Sequence, residues 1–297
     1  MLLRAHSDRC LTDFLTRPNI LIMKSMALNT VLCPALLMIA AAVHAQVTAV
    51  NSEYHEWNTA AWSNGTPISG GTAFLNGNSF VEISQDPAAV AQGIRVGNTT
   101  AEFSTLSVTG SSLRALYIVV GDAADSNAIF KQSGGSLSIE NTANLDFEIG
   151  NPFNSASMPC SSNVTFTGGT AKLADVRFNL RANRATQFVV DGSRAEIHCD
   201  RVSAATAAET SWKNGDLEFR FDAAGIATLK VSGELALGAK NQIDLNIDGA
   251  AYMGRDIRFV LIDAGTISGS FANIKITGFN QGASVSLVDN DIVLTIP

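Results

Sequence analysis

Short segments in which apolar residues alternate with Ser, Thr, Lys or Arg occupy most of this 297-residue chain after residue 55. Such alternation is typical of β-strands with one buried face, because successive side chains of a strand point to opposite sides. The segments end at turns that contain Gly, Asn and Asp. No long segment has the 3.6-residue period of a helix, and only Ala204–Glu209 is predicted to hold a helical turn. The pattern therefore predicts an all-β protein.

Two of these segments recur at a fixed spacing. Gly97 and Gly121 each follow an apolar strand and lie 24 residues apart. Gly110 and Gly134 each follow the next strand and are also 24 residues apart. Gly followed by Asn or Asp, as at Gly97 and Gly121, is typical of a corner that needs a positive φ. A repeat of this length indicates one small supersecondary unit stacked on itself.

The same register returns farther along the chain. A looser third copy covers residues 147–169 and contains a longer loop, and a fourth ends at Gly192, 24 residues after Gly168. A unit this short cannot bury its apolar side alone, so consecutive units must stack about 4.8 Å apart. We therefore expect a short right-handed parallel β-helix (β-solenoid), to which each unit contributes two strands.

The pattern divides the chain into four regions: residues 1–45 are an upstream leader and secretory signal peptide, residues 46–92 are N-terminal cap strands, residues 93–210 are the solenoid repeats, and residues 211–297 are a C-terminal β-rich cap. Trp57 and Trp62 are expected to plug the first end of the core. In the last region the period is lost but the alternation continues, as in antiparallel sheets. We expect either an antiparallel cap or small sandwich, or the last wider turns of the solenoid followed by a cap.

The N-terminal region has the features of an export signal. Residues 31–43 form an apolar run of 13 residues, followed by small residues that predict cleavage between Ala45 and Gln46. A membrane span would need about 20 apolar residues. We expect Met23 or Met26 to be the true start. The protein is then secreted, on the cell surface or periplasmic, without a membrane span after signal removal.

The net charge limits the partners that the chain could bind. From residue 46 onward the chain has 16 Lys and Arg and 25 Asp and Glu, a net charge of −9. Nucleic acids and anionic membranes require a basic surface, so neither is expected as a partner.

Cys160 and Cys199 are the cysteines that follow residue 45. They could form one disulfide in an oxidising compartment, or remain unbonded.

Residues typical of catalysis or metal binding are sparse after residue 45. His55 and His198 are the histidines there, and the chain has no zinc-site motif, haem-attachment motif or nucleophile elbow. We therefore predict no catalytic residue, no metal and no cofactor, and we interpret His198 as a surface or edge-strand histidine. The turn that contains Asp122 could offer oxygen ligands to calcium, but we interpret it as corner chemistry. Asp146 and Glu148 are predicted to form a solvated acidic face.

A cluster of arginines is the most distinctive charge feature. Half of the ten arginines after residue 45 lie within residues 175–201, with carboxylates interleaved. They could line a shallow groove for an acidic polysaccharide, since guanidinium groups grip carboxylates and sulfates. They could also form a surface ladder of ion pairs, in which each pair contributes under about 1 kcal/mol. We favour this second interpretation. The candidate ligand-binding residues are Arg177, Arg181, Arg184, Arg194 and Arg201.

Several phrases of the sequence resemble a known family. They are Trp57, Trp62–Gly65, the corners Val96–Asn98 and Val120–Asp122, the phrase Ser133–Leu137, and the closing segment Tyr252–Phe271. The chain resembles secreted bacterial β-solenoid proteins of the autotransporter-associated β-strand-repeat type. The resemblance implies an exported or surface protein, and it supplies no catalytic residues.

Three functions are compatible with these observations. The first is an exported, non-catalytic β-helical surface or matrix protein, for adhesion or contact with extracellular polysaccharide or other surface proteins. The second is a polysaccharide lyase or glycoside hydrolase on a β-helix, which would use the arginine region with Asp175 or Asp200. The third is a passenger-like fragment of a larger surface assembly. We favour the first, because the chain has a repeat and an export signal but no motif for a catalytic site.

Overall fold

The computed structural model describes residues 44–48, 55–60, 62–63, 65–85, 89–123, 125–140, 146–150, 160–180, 185–204, 214–237, 242–279 and 282–297. The apolar run at residues 31–43 and most of the predicted helical turn lie outside these ranges. The described residues form strands and turns without a helix, stacked as a parallel β-solenoid of about seven turns. The predicted fold class is confirmed, whereas the hand of the solenoid stays a prediction.

The strands in chain order are β1 (His44–Thr48), β2 (His55–Glu56), β3 (Thr72–Asn76), β4 (Ser79–Ile83), β5 (Ala89–Val96), β6 (Phe103–Val108), β7 (Ser112–Val120), β8 (Asn127–Gln132), β9 (Ser136–Ile139), β10 (Phe147–Ile149), β11 (Ser161–Phe166), β12 (Gly169–Lys172), β13 (Asp175–Phe178), β14 (Thr186–Asp191), β15 (Ala195–Cys199), β16 (Arg201–Ala204), β17 (Gly215–Arg220), β18 (Leu229–Ala236), β19 (Ile243–Asp248), β20 (Arg258–Ser268), β21 (Ile274–Thr277), β22 (Ser284–Val288) and β23 (Asp291–Thr295). Ala45 and Gln46, the predicted cleavage site, lie in β1, which pairs with β3. Cleavage there stays a prediction.

Two sheets form the solenoid. The nine-stranded sheet has the order β2-β4-β6-β8-β11-β14-β17-β19-β21. The fourteen-stranded sheet is folded into two limbs, because β5, β7, β18 and β20 bend and pair with different neighbours before and after the bend. We call the part that contains β9, β12 and β15 limb 1, and the part that contains β3, β10, β13 and β16 limb 2. One coil therefore passes through the nine-stranded sheet, limb 1 and limb 2 in turn.

The 24-residue spacing is the length of one coil. Gly93 pairs with Tyr117 on limb 2, Phe103 with Asn127 on the nine-stranded sheet, and Ser112 with Ser136 on limb 1, each 24 residues on. Each coil thus has three strand segments, where the sequence pattern predicted two. The third was missed because strands such as β9 and β12 have only four residues, too few to display a clear alternation.

Corner glycines adopt the backbone conformation that their positions predicted. Gly97 has a φ of 73° and Gly121 a φ of 88°, both in the region that residues with a Cβ rarely adopt. At Gly135 a Cβ would collide with the carbonyl oxygen of Ser111 in the preceding coil. At this corner successive coils stack backbone on backbone, which explains why glycine recurs at equivalent positions of neighbouring coils.

The inward residues of all three segments form one continuous core. Its centre is a column of buried phenylalanine rings, Phe130, Phe147, Phe166 and Phe188. Neighbouring ring centroids in this column are 5.2 to 6.4 Å apart. Such contacts stabilise the stack beyond the burial of the apolar area.

The last region differs from the antiparallel sheets that its alternation suggested. Strands β17, β19 and β21 continue the nine-stranded sheet in parallel pairing, and β18 and β20 continue both limbs. Only β23 pairs antiparallel, with β20 and β22, among the described strands. The alternative of further solenoid turns followed by an antiparallel cap is the one that the structure shows.

Aromatic residues close the first end of the core, as predicted. Trp57 and Trp62 are both buried, with ring centroids 4.9 Å apart. The indole nitrogen of Trp62 donates a hydrogen bond of 2.7 Å to the carbonyl oxygen of Trp57, so the buried polar group is satisfied. At the other end, Ile274 on the edge strand β21 remains 50% exposed.

Candidate functional site

A groove of about 610 Å³ runs along the solenoid where limb 1 bends into limb 2. We call it the axial groove. It crosses five successive coils, because its lining comes from the ends of β9, β12 and β15 and from the bends of β18 and β20.

Small residues at the bends keep the groove open. Its floor includes Ala174, Ser232 and Gly265. A Cβ at the neighbouring Gly233 would lie 2.6 Å from the carbonyl oxygen of Asp200 in the preceding coil, and a Cβ at Gly265 would lie 2.5 Å from that of Ser232. The coils therefore stack too closely at Gly233 and Gly265 for a side chain at either position.

One outward side chain from each coil lines the limb 1 wall of the groove. Strand pairing places Lys172 between Ser138 and His198, and Lys230 between His198 and Asp263. With a strand spacing of about 4.8 Å, the series from Ser138 to Asp263 spans about 19 Å. We call these five residues the groove ladder: Ser138, Lys172, His198, Lys230 and Asp263.

The centre of the groove ladder carries its basic groups. Lys172 and Lys230 flank His198, which is partly exposed with 39% of its side-chain surface accessible. The Nε2 atom of His198 lies 3.0 Å from Oε1 of Glu196 on the same strand. The hydrogen bond and the charge of His198, followed by the charges of Lys230 and Lys172, hold the pKa of Glu196 below its ordinary value.

The floor of the groove contains a carboxylate and a thiol. Asp200 accepts a 3.2 Å hydrogen bond from the hydroxyl of Ser232. The thiol of Cys199 is buried and donates to the carbonyl oxygen of Lys230 at 3.5 Å. Burial, with smaller contributions from Asp200 and Asp175, raises the pKa of Cys199 far above its ordinary value. Because the thiolate is the nucleophilic form, we expect Cys199 to react slowly in the folded protein.

The two cysteines do not form the disulfide that was one of the predicted alternatives. Cys160 lies just before β11 of the nine-stranded sheet, where its sulfur is 3.8 Å from the hydroxyl oxygen of Ser162. Cys199 lies on β15 of limb 1. Both are buried as thiols, because they project from different sheets of the solenoid.

The described members of the arginine cluster, Arg177, Arg194 and Arg201, lie on the outside of the solenoid. Arg177 forms an ion pair of 2.9 Å with Glu148, and Arg201 one of 2.8 Å with Glu234. Both pairs lie on limb 2 and join neighbouring coils. For these two arginines the contacts are of the ion-pair kind; whether the five arginines form a ladder or a ligand groove stays a prediction.

The remaining predicted arginines are Arg181, Arg184 and Arg194. Arg194 lies between β14 and β15, at the opposite end of limb 1 from the axial groove. Arg181 and Arg184 lie outside the described residues. Of the two carboxylates that a lyase or hydrolase was expected to use, Asp200 lines the groove and Asp175 begins β13 of limb 2.

Glu148 belongs to a buried charged network on limb 2, so the prediction of a solvated acidic face was wrong. Glu148 is 1% exposed and Asp146 is 5% exposed. The second carboxylate oxygen of Glu148 accepts a 2.7 Å hydrogen bond from Asn179. Burial raises the pKa of Glu148, against the opposing effects of Asn179 and Arg177. Removing Arg177 or Asn179 would leave the buried Glu148 with fewer partners, which is costly even where the intact pair adds little stability.

Asp122 is likewise held by a local partner. It lies 3.2 Å from the guanidinium of Arg95, which is 5.9 Å from the rings of both Phe74 and Tyr117. Burial raises the pKa of Asp122, and the charge of Arg95 opposes the rise. This contact supports the interpretation of its turn as corner chemistry.

The outer surface of the nine-stranded sheet is acidic over the later coils. Asp216 and Asp244 are adjacent in register on β17 and β19. Asn246 donates to Asp216 at 3.0 Å and Asn273 donates to Asp244 at 2.8 Å, which forms a ladder of amides and carboxylates. Burial raises the pKa of Asp216, and the charge of Asp244 contributes. The basic groove ladder and this acidic sheet thus lie on different faces of the solenoid.

Sequence reasoning did not identify the groove ladder. Lys172, His198 and Lys230 are 26 and 32 residues apart, so the 24-residue spacing does not align them. Their signal in the sequence is a polar residue that directly precedes an inward Leu, Cys or Val. That signal becomes useful only once limb 1 is recognised as a third strand segment of each coil.

Comparisons with protein-family models, with curated proteins and with solved structures give no match to this chain. Within the described ranges, no three His, Cys, Asp or Glu side chains are grouped so that they could hold a metal ion. The part of the chain that the structure describes also has no helix with the length and hydropathy of a membrane span.

Proposed function

We propose that the chain is an exported, non-catalytic β-solenoid protein that contacts glycans through the axial groove, at the cell surface or in the extracellular matrix. The groove carries this proposal, because it offers one side chain per coil over about 19 Å. A linear polymer that lies along the axis would meet these side chains at regular intervals. Hydroxyl, carboxylate and ammonium groups at such intervals suit the hydroxyl groups of a polysaccharide.

Export is the second part of the proposal. It is supported by the apolar run at residues 31–43, by the small residues before the expected cleavage site, and by the resemblance to autotransporter-associated β-strand repeats. A stack in which neighbouring coils are paired is rigid, which suits a protein that works outside the cell.

A polysaccharide lyase or glycoside hydrolase is the second candidate function. It is favoured by one observation, namely that Asp200 and His198 line the same groove and are two residues apart. These groups could serve as acid and base if a glycosidic bond lay above them.

A glycan array with the purified protein, combined with a screen for depolymerisation of the polymers that bind, tests these candidates. Retention of a polymer without cleavage is the expected result. Cleavage that is lost in both His198→Gln and Asp200→Asn would establish the enzyme and refute the non-catalytic function. An array on which no glycan binds, together with no binding of polygalacturonate or its methyl ester, would refute glycan contact. Fractionation of the producing cells tests export separately, because the chain should be found outside the cytoplasm.

A further inference from the structure

Positive charge is concentrated in the middle of the axial groove. The groove ladder begins with the neutral Ser138 and ends with the acidic Asp263, and its three central positions are Lys172, His198 and Lys230. The two lysines are two coils apart, which is about 10 Å along the axis. The groove therefore has a basic centre with neutral and acidic ends.

The groove lysines differ in their ionic contacts from most of the described arginines. Arg95, Arg177, Arg201 and Arg220 each lie within 3.2 Å of a carboxylate oxygen. Among the described residues, no salt bridge involves Lys172 or Lys230, and both side chains are exposed. Their ammonium groups face the open groove, where a ligand can meet them without first breaking an ion pair.

Carboxylates around this centre limit the ligand that can bind. Glu196 is paired with His198, Asp200 accepts from Ser232, and Asp263 ends the groove ladder. A polymer with dense sulfate charge would be repelled by these groups over most of the groove. A polymer with less dense charge would place an acid group at the basic centre and hydroxyl groups at the ends.

We propose that the axial groove binds a linear polysaccharide that contains uronic acids, with a sugar carboxylate held between Lys172 and Lys230 beside His198. Hydroxyl groups of the neighbouring sugars bond to Ser138 and Asp263. This inference rests on the proposed glycan contact and names the class of glycan. It also moves acid recognition from the arginine cluster, where the sequence suggested it, to limb 1.

Binding of three polymers to the full chain tests the inference. The probes are polygalacturonate, the same polymer fully methyl-esterified, and dextran sulfate, with affinity measured by biolayer interferometry. The test variant is Lys172→Gln with Lys230→Gln. The matched control is Lys131→Gln with Lys275→Gln, which makes the same charge change on the outer surface of the nine-stranded sheet.

We expect polygalacturonate to bind more tightly than its methyl ester and than dextran sulfate. The groove variant should lose affinity for polygalacturonate by about tenfold or more, the change that about 1.4 kcal/mol produces. The control variant should bind like the original chain. Since all four lysines are exposed, circular dichroism melting should show that both variants remain folded.

Three results would overturn the inference. Equal loss in the groove and control variants would show a net-charge effect without a site. Tighter binding of dextran sulfate would show that charge density, not a uronic acid, is recognised. Equal binding of the acid polymer and its methyl ester would refute acid recognition while glycan contact stands. Glycan contact itself fails only if neither of these two polymers binds and the array is also empty.

Discussion

The column of phenylalanine rings gives the sharpest test of how the coils are held together. Phe166 is fully buried, and its ring centroid lies 5.9 Å from that of Phe130, 6.4 Å from that of Phe147 and 5.2 Å from that of Phe188. Its strand β11 is paired on both sides, with β8 and β14. Phe166→Ala should leave a cavity that these fixed neighbours cannot fill, because the main chain of each coil is held by the next.

The expected loss follows from the burial and the ring contacts. Phe to Ala changes in close-packed cores cost about 3–5 kcal/mol, and each aromatic pair contributes about 0.5–1.5 kcal/mol of such losses. With three rings in contact and little room for relaxation, we expect Phe166→Ala to lower the free energy of unfolding by about 4 kcal/mol. Phe103→Ala makes the same chemical change at a residue that is 38% exposed and contacts one ring, Phe80. It should cost about 1 kcal/mol or less.

Guanidinium chloride unfolding, followed by far-ultraviolet circular dichroism, measures both variants. The midpoints can be compared as stabilities when the slopes with denaturant agree, since the slope reports the surface exposed on unfolding. Equal losses for Phe166→Ala and Phe103→Ala would refute the argument. That result would mean that main-chain pairing holds the coils together and the aromatic column contributes little.

Three further outcomes are expected. Burial raises the pKa of Glu148, so the folded chain keeps the carboxyl proton to a higher pH than the unfolded chain. The protonated carboxyl therefore contributes to the free energy of unfolding at low pH, and this contribution is lost as the pH rises from about 4.5 through the raised pKa. Glu148→Gln should flatten this decline in urea unfolding from pH 4.5 upward, and an unchanged decline would contradict the assignment. Ala174 has a φ of 49°, so Ala174→Gly should raise the melting temperature, with a gain of up to about 1 kcal/mol, whereas Ala171→Gly within β12 should lower it; a loss in both would disprove strain at Ala174. Cys160 and Cys199 should resist alkylation in the folded chain and react in denaturant without reductant, as peptide mass spectrometry would show; a requirement for reductant would instead indicate a disulfide.

The fold could be predicted because its strongest signal lies in the backbone. Gly97 and Gly121 occupy equivalent corners, and the 24-residue spacing between them equals the length of a coil on all three of its segments. The parallel pairing of β17, β19 and β21 could not be read in the same way. Alternation reports that one face of a strand is buried, and it is the same for parallel and antiparallel neighbours.

The candidate site was beyond the reach of the sequence for a different reason. His198 was interpreted as a surface histidine, and it is partly exposed, but its neighbours Lys172 and Lys230 come from coils of other lengths. The eight residues between β17 and β18 lengthen one of these coils and shift the spacing. The arginines, by contrast, were predicted as a candidate site because they are close in sequence. In the solenoid, Arg194 and Arg177 lie on different limbs.

The bend between the two limbs has a consequence for the surface of the axial groove. Between β12 and β13 it takes two residues and between β15 and β16 it takes one, whereas the turns elsewhere in the coil vary widely in length. Main-chain hydrogen bonds therefore set the same axial spacing between neighbouring side chains of the groove, whatever the residue type. Lys172 and Lys230 are exposed, so we expect exchanges at either position to leave the fold intact. Single substitutions would thus change the order of charges along the groove while the interval between them stays constant.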